Sequence, residues 1–162
     1  MDNAAKLVIG IADMKMAQQS GTLITYALGS CVGICLYEPN LKLGALIHIM
    51  LPLNMEAGRK TPLKYADTGI RETLRQMEIK GAQRGRVTAK ICGGAKMFET
   101  TQNGSLGKIG QRNIESVRLV LKREGIRLLA EDVGGTWART LQFDVATGQG
   151  TIRSYGKPEI IF

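Results

Sequence analysis

The residues best suited to chemistry in this chain are its single histidine and its three cysteines. His48 lies in an apolar run, residues 44–51, and the cysteines are Cys31, Cys35 and Cys92. A histidine beside a cysteine can take the thiol proton, and the resulting ion pair lowers the pKa of the thiol. A lone histidine in an apolar run is more often a hydrogen-bonded core residue. The catalytic interpretation therefore needs a cysteine next to His48.

A predicted β-hairpin offers such a cysteine. Residues 31–37 and 42–51 are rich in β-forming residues, and the four residues between them, 38–41, include the turn formers Pro and Asn. If those four residues form the turn, Cys31 lies directly opposite His48, with Cβ atoms about 4.5–5.5 Å apart. A five-residue turn would place the two side chains on opposite faces of the sheet. The sequence thus predicts a nucleophile–base pair, with core packing as the alternative.

Two small residues precede the candidate nucleophile. Gly29 and Ser30 would let a substrate approach closely, and backbone N–H groups there, that of Cys31 above all, could hold a developing oxyanion. We therefore predict that Gly29 and Ser30 bind substrate.

The metal interpretation is weaker. Three cysteines and one histidine equal the ligand count of a zinc site. However, Cys31 and Cys35 on one strand would be separated by roughly 13 Å, too far for a tetrahedral site. Cys35 and Cys92 are predicted to be small core residues. Glu131 and Asp132 could hold a metal or orient the histidine, although an acidic strand end at a turn is the simpler interpretation. We predict no metal and no cofactor.

Length and charge restrict the class of protein. The 162 residues fit a single domain, residues 1–162, and 22 basic against 14 acidic residues give a net charge of +8. A basic surface favours an acidic partner such as nucleic acid. However, only 5% of the residues are aromatic and no stacking motif is present, so the sequence offers no means of recognising bases. The N-terminus lacks a signal-peptide core, and the longest apolar run is about half of a membrane span. We expect a cytoplasmic protein that is not membrane-embedded.

The pattern of apolar residues predicts an α+β fold. Strands are predicted at residues 7–11, 23–28, 31–37, 42–51, 87–91, 126–133, 137–145 and 150–155. Helices are predicted from Thr61-Pro62 to Gly81 and around Ile114, Val117 and Leu121 to Gly125. Hairpins at both ends of the chain favour a mainly antiparallel sheet.

Gly93-Gly94-Ala95 could cradle an anion, but a tight strand exit with close backbone approach is favoured. Residues 54–60 are predicted to form a loop that could cover the site.

Six blocks of sequence, in order, resemble one known family, the CheD chemoreceptor glutamine deamidases. The resemblance runs from about Ile9 to Ile152. The blocks are Leu28-Gly29-Ser30-Cys31-Val32, His48-Ile49-Met50-Leu51-Pro52, Lys64-Tyr65-Ala66-Asp67, Gly93-Gly94-Ala95-Lys96-Met97-Phe98, Ile109-Gly110-Gln111-Arg112-Asn113 and Ala130-Glu131-Asp132-Val133-Gly134-Gly135.

The resemblance implies a fold, a site and partners. The fold would be an α/β/β sandwich similar to the catalytic cores of deamidating toxins. The catalytic residues would be Cys31, His48 and Thr25, the last of which is otherwise an ordinary strand residue. The reaction would convert glutamine side chains of methyl-accepting chemotaxis receptors to glutamate through a thioester, with glutamyl methyl ester hydrolysis as a second reaction. The alternative is a non-catalytic adaptor that binds chemoreceptors or the CheC phosphatase.

Overall fold

The computed structural model describes residues 5–53, 61–97 and 108–162, so the predicted loop at 54–60 lies outside the described residues. The strands are β1 (Lys6–Val8), β2 (Asp13–Gln18), β3 (Thr22–Leu28), β4 (Val32–Glu38), β5 (Leu43–Ile49), β6 (Thr88–Gly93), β7 (Arg127–Val133), β8 (Arg139–Asp144), β9 (Gln149–Arg153) and β10 (Ile160–Ile161). The helices are α1 (Ala66–Ile79) and α2 (Ile109–Arg123), with single 3-10 turns at Pro62–Lys64 and Arg84–Arg86.

These elements form three layers. The first sheet has the order β1-β3-β8-β9-β10 and the second the order β2-β5-β4-β6-β7. One face of the second sheet packs on both helices, and its other face packs on the first sheet. Strand pairs are antiparallel except for β1 with β3 and β6 with β7. This is the predicted α+β, α/β/β sandwich. Neither described helix is long and apolar enough to cross a membrane.

The second sheet explains why the histidine lies in an apolar run. All seven residues of β5 are buried, because this strand is covered by helices on one face and by a sheet on the other. Ile47 and Ile49 belong to the core under the helices, whereas Leu46 belongs to the core between the sheets. By alternation, His48 shares the face of Leu46 and points between the two sheets.

The predicted hairpin is confirmed, but its predicted register is wrong by two residues. Glu38 pairs with Leu43, and Gly33 rather than Cys31 lies opposite His48. The strand extends to Glu38 because the buried Glu38 carboxylate accepts hydrogen bonds from the Asn40 N–H and the Arg86 side chain. The turn therefore begins one residue later than predicted. A shift of two residues keeps every side chain on its face. Cys31 therefore lies diagonally across from His48 on the same face.

Two element boundaries and two further strands also differ from the predictions. Thr61 makes no side-chain cap, and Pro62 begins a 3-10 turn that precedes the start of α1 at Ala66. The strand predicted at 7–11 ends at Val8, because the residues that follow turn towards β2. Strands β2 and β10 were not predicted.

Candidate functional site

A hydrogen bond between the two sheets fixes the state of the imidazole. The Thr25 hydroxyl of β3 lies 2.8 Å from His48 Nδ1 and donates its proton to the Ile9 carbonyl, also at 2.8 Å. Because the single hydroxyl proton is used there, the Thr25 oxygen accepts the hydrogen bond from Nδ1–H. The Nε2 atom then carries a lone pair. It is buried and has no hydrogen-bond partner among the described residues.

A β-bulge lies next to Thr25. The pairing of β3 with β8 shifts between Thr25 and Leu28, Ala27 adopts a left-handed conformation (φ 55°), and Tyr26 is exposed. Bulges change the direction of a side chain and are common beside active sites. The irregularity keeps both Thr25 and Leu28 buried although an odd spacing would place them on opposite faces of a regular strand.

A glycine makes room for the threonine beside the histidine. A Cβ atom on Gly33 would lie 3.0 Å from side-chain atoms of Leu28 and Leu141 and 3.6 Å from the Thr25 methyl. Gly33 is the register partner of His48. Side chains from the first sheet therefore fill the space that a larger residue at position 33 would take.

The candidate nucleophile lies on a short loop whose backbone is held by β6. Half-buried Cys31 directly precedes β4. Its carbonyl accepts the N–H of Gly94, and the Gly29 carbonyl accepts that of Ala95, both at 2.8 Å. A Cβ atom on Gly93, where φ is +117°, would lie 2.2 Å from the Cys31 carbonyl oxygen. Gly93 and Gly94 thus let the end of β6 and the Cys31 backbone come close together, which is the interpretation that the sequence favoured.

A further buried polar residue joins this loop to the end of the histidine strand. Asn113 of α2 donates its side-chain amide to the carbonyls of Ser30 and Met50, each at 2.9 Å. Sequence reasoning gave Asn113 no role. A signal was present, since it lies four residues before Val117 and next to Ile114 on the apolar stripe of the helix.

Burial keeps the cysteine and the histidine neutral. It raises the pKa of the Cys31 thiol, an effect only partly offset by the cysteine's own amide N–H. It lowers the pKa of His48 to about 4. Both changes oppose the ion pair expected from the sequence, and His48 Nε2 makes no hydrogen bond to the sulfur. The resting site therefore holds a thiol and a neutral imidazole, which suits general-base rather than preformed-thiolate chemistry.

The depressed pKa of His48 makes a prediction about stability. The unfolded chain binds a proton at this residue below about pH 6.5, but the folded chain binds one only near pH 4. The free energy of unfolding should therefore fall as the pH drops from 6.5 to 4, by up to about 3 kcal/mol from this residue. Urea unfolding of the natural chain and of His48→Asn across this range tests it. Parallel pH dependences in the two proteins would contradict the prediction.

The acidic strand end lies in ion pairs away from the imidazole. Glu131 pairs with Arg118, and Asp132 accepts a 2.9 Å hydrogen bond from the buried Arg139. Arg139 also donates to the Gly134 carbonyl at 2.8 Å. A hydroxyl rather than either carboxylate is thus the hydrogen-bond partner that orients the histidine.

The other two cysteines are core residues, as predicted. Cys35 and Cys92 are at most 1% exposed and pack between the sheets. Burial raises the pKa of both thiols. Cys31 is the partly accessible cysteine.

Comparisons with known proteins place this chain in a family. The family described as "CheD chemotactic sensory transduction" matches residues 50–154. A relative from Desulforamulus reducens, named "Probable chemoreceptor glutamine deamidase CheD", is 47% identical over 95% of this chain and 93% of its own length. A relative of the same name from Syntrophomonas wolfei is 46% identical, with 94% and 96% covered. The "Chemoreceptor glutamine deamidase CheD" of Thermotoga maritima is 42% identical, with 95% of each chain covered.

A solved structure overlaps with this chain more weakly. The hypothetical protein YfiH of Bacillus licheniformis gives a TM-score of 0.40 at 16% identity, covering 68% of this chain and 46% of that one. This overlap is too weak to support a conclusion. The family match and the full-length relatives are sufficient, and this chain belongs to the CheD family.

Proposed function

We propose that this protein is a cysteine-dependent glutamine deamidase that converts glutamine side chains of methyl-accepting chemotaxis receptors to glutamate and releases ammonia. The names of its full-length relatives support the substrate and the reaction. The observation that carries the mechanism is the Thr25–His48 hydrogen bond, which leaves a bare, buried Nε2 on the sheet face that Cys31 shares. A cytoplasmic location would keep this thiol reduced.

The first half of the reaction uses all three residues. The Cys31 sulfur attacks the carboxamide carbon while His48 Nε2 takes the thiol proton, so that charge forms only as the carbon–sulfur bond forms. The Thr25 oxygen accepts from Nδ1–H and stabilises the imidazolium. The amide N–H of Cys31 is the proposed donor to the oxyanion, because it already lies close enough to the sulfur to lower the thiol pKa.

The second half regenerates the thiol. The imidazolium gives its proton to the departing nitrogen, ammonia leaves, and a thioester joins the substrate to Cys31. His48 then removes a proton from water as the water attacks the thioester carbon. The thiolate leaves and recovers that proton, which yields glutamate and the original thiol. Gly29 and Ser30 are the proposed walls of the entry to the sulfur. A glutamyl methyl ester could form the same thioester with loss of methanol.

The function is tested on a chemoreceptor cytoplasmic fragment incubated with this protein. Because a thioester is hydrolysed by water, each converted glutamine should gain about 1 Da in ordinary water and about 3 Da in water enriched in oxygen-18. Peptide mass spectrometry locates the sites, and ammonia release should match their number. A methylated fragment should lose about 14 Da at each hydrolysed ester.

The adaptor alternative gives a different result in this assay. An adaptor that docks on receptors or on CheC would bind the fragment and leave its mass unchanged. The buried, unpaired Nε2 argues for the enzyme, since such a group costs about 1–3 kcal/mol and a docking surface has no use for it. Binding without a mass change would reverse this conclusion.

A further inference from the structure

We infer that Asn113 is a positioning residue of the active site, which sets the direction of the Cys31 amide N–H and the place of the strand end that follows His48. The inference rests on the proposed function and extends it to a residue outside the three catalytic side chains. It is carried by one buried side chain that bonds to both of the segments whose relative position the reaction requires.

The orientation of the Asn113 amide follows from its neighbours. Its two partners, the carbonyl oxygens of Ser30 and Met50, can only accept hydrogen bonds, so the NH2 group must face them. The residue is 0% exposed, and its Oδ1 atom is buried without a partner among the described residues. The side chain thus satisfies two backbone carbonyls while one of its own polar atoms stays unpaired.

The bond to Ser30 acts on the proposed oxyanion donor. The Ser30 carbonyl and the Cys31 N–H belong to the same peptide group, which is planar and trans, so they point in opposite directions. When Asn113 fixes the carbonyl, it also fixes the N–H on the far side of the plane. That N–H lies near the Cys31 sulfur, where it lowers the thiol pKa. A hydrogen bond to the carbonyl also polarises the peptide and strengthens the N–H as a donor.

The bond to Met50 acts on the strand that carries the base. Met50 follows His48 by two residues, and its N–H donates to the Lys64 carbonyl at 2.8 Å. The Met50 carbonyl accepts a hydrogen bond from Asn113, so both the N–H and the C=O of Met50 are hydrogen-bonded. One amide therefore sets the spacing between the nucleophile loop and the strand of the general base.

Helix α2 has other contacts that hold it in place. A Cβ atom on Gly110 would lie 2.5 Å from the Ala95 carbonyl oxygen, so the helix backbone packs directly on the strand exit. Ile114, Val117 and Leu121 add apolar contacts to the core under the helices. Loss of the Asn113 amide should therefore disturb the loop and the strand end more than the docking of the helix.

The test compares Asn113→Ala and Asn113→Asp with Thr73→Val. Asp keeps the shape of Asn but loses the NH2 group, and Thr73 is a matched buried polar residue of α1 that bonds the Gly69 carbonyl at 2.8 Å. Misplacement of reacting groups predicts a ~10- to 100-fold loss of kcat in both Asn113 variants, with KM for the receptor fragment within about twofold. Thr73→Val should keep the kcat of the natural protein, even where its melting temperature falls as much as that of the Asn113 variants.

A second readout does not depend on deamidation. The rate of Cys31 alkylation by iodoacetamide, measured against pH, should shift to higher pH in the Asn113 variants, because the amide N–H no longer supports the thiolate. Among the described residues, the groups near Cys31 that titrate or carry charge include His48 on β5, the buried thiols of Cys35 and Cys92 and, beyond the Gly93 carbonyl, Arg139 with its partner Asp132. All of them are present in every variant, but Asn113→Asp also introduces a carboxylate that would raise the thiol pKa by itself, so the alkylation readout is taken from Asn113→Ala.

The outcomes separate this inference from the proposed function. Unchanged kcat and an unchanged alkylation profile in folded Asn113→Asp would overturn the positioning role even if the natural protein deamidates receptors. A shifted alkylation profile in Asn113→Ala would support it even if the natural protein leaves receptors unmodified. If Asn113→Ala does not fold, the Asp variant decides the matter. Equal losses of kcat in Thr73→Val and the Asn113 variants would reduce the residue to a structural role and overturn the inference.

Discussion

Replacing Cys31 with alanine should lower kcat for receptor deamidation by at least ~10⁴-fold, because the other two thiols, Cys35 and Cys92, are fully buried and cannot reach a substrate to form the thioester. The half-buried thiol makes no side-chain hydrogen bond to His48, so the fold should tolerate the change. The measurement is peptide mass spectrometry of the receptor fragment over time, with circular dichroism to confirm that the variant is folded.

The chain offers a matched control for this experiment. Cys35→Ala removes a thiol from the same strand face, but from the core between the sheets. We expect this variant to be less stable and still active. Acid quenching of the natural protein during turnover should also reveal a substrate peptide attached to Cys31. Receptor modification that persists in Cys31→Ala, or a folded Cys35→Ala that is inactive, would contradict the assignment of the nucleophile.

Replacing His48 with asparagine should lower kcat by ~10³- to 10⁴-fold. The amide nitrogen of Asn can take the place of Nδ1 and keep a donor to Thr25, whereas nothing takes the place of Nε2. The variant thus removes the general base with little change to the hydrogen bond between the sheets. Deamidation rates and the pH profile of Cys31 alkylation measure the effect. Activity within about tenfold of the natural protein would exclude His48 as the base.

The single histidine permits a direct control on its protonation. Nitrogen-15 spectra of the imidazole contain one set of signals, because His48 is the chain's one histidine. The proposed mechanism requires the Nδ1–H tautomer, and the depressed pKa requires that it persist through pH 6. Spectra that show Nε2–H, or protonation near pH 6.5, would contradict the assignment irrespective of any activity.

Local sequence pattern pointed to the proposed nucleophile and the proposed base but could not give their register. Alternation in the runs around the turn predicts that Cys31 and His48 share one face, and Cys31 does pack against the core between the sheets, towards which His48 points. The turn itself starts later because the Glu38 carboxylate is held by Arg86, a residue 48 positions away. The pKa changes that oppose the expected ion pair have a related cause, since they depend on how deeply the two sheets bury the site.

Contacts between layers left weaker signals in the sequence than contacts within the hairpin. Thr25 belongs to a different sheet from His48, so only the family resemblance pointed to it. Asn113 comes from the helix layer and bonds the residues just before β4 and just after β5, and its place on the apolar stripe of α2 was its signal. Strand β2 was missed because its apolar positions are methionines, Met14 and Met16, which have weak β-propensity. Strand β10 has two residues, too few for any periodicity.

The neutral thiol has a consequence for how the protein tolerates damage and inhibition. Peroxides and general thiol reagents attack thiolates, so a cysteine that is held protonated should oxidise slowly to sulfenic acid. In the proposed mechanism, Cys31 becomes a strong nucleophile only as its sulfur attacks a carbonyl carbon and His48 takes the proton. Selective inhibitors should therefore be electrophiles built on a glutamine-like carboxamide, rather than reagents chosen for reactivity towards cysteine in general.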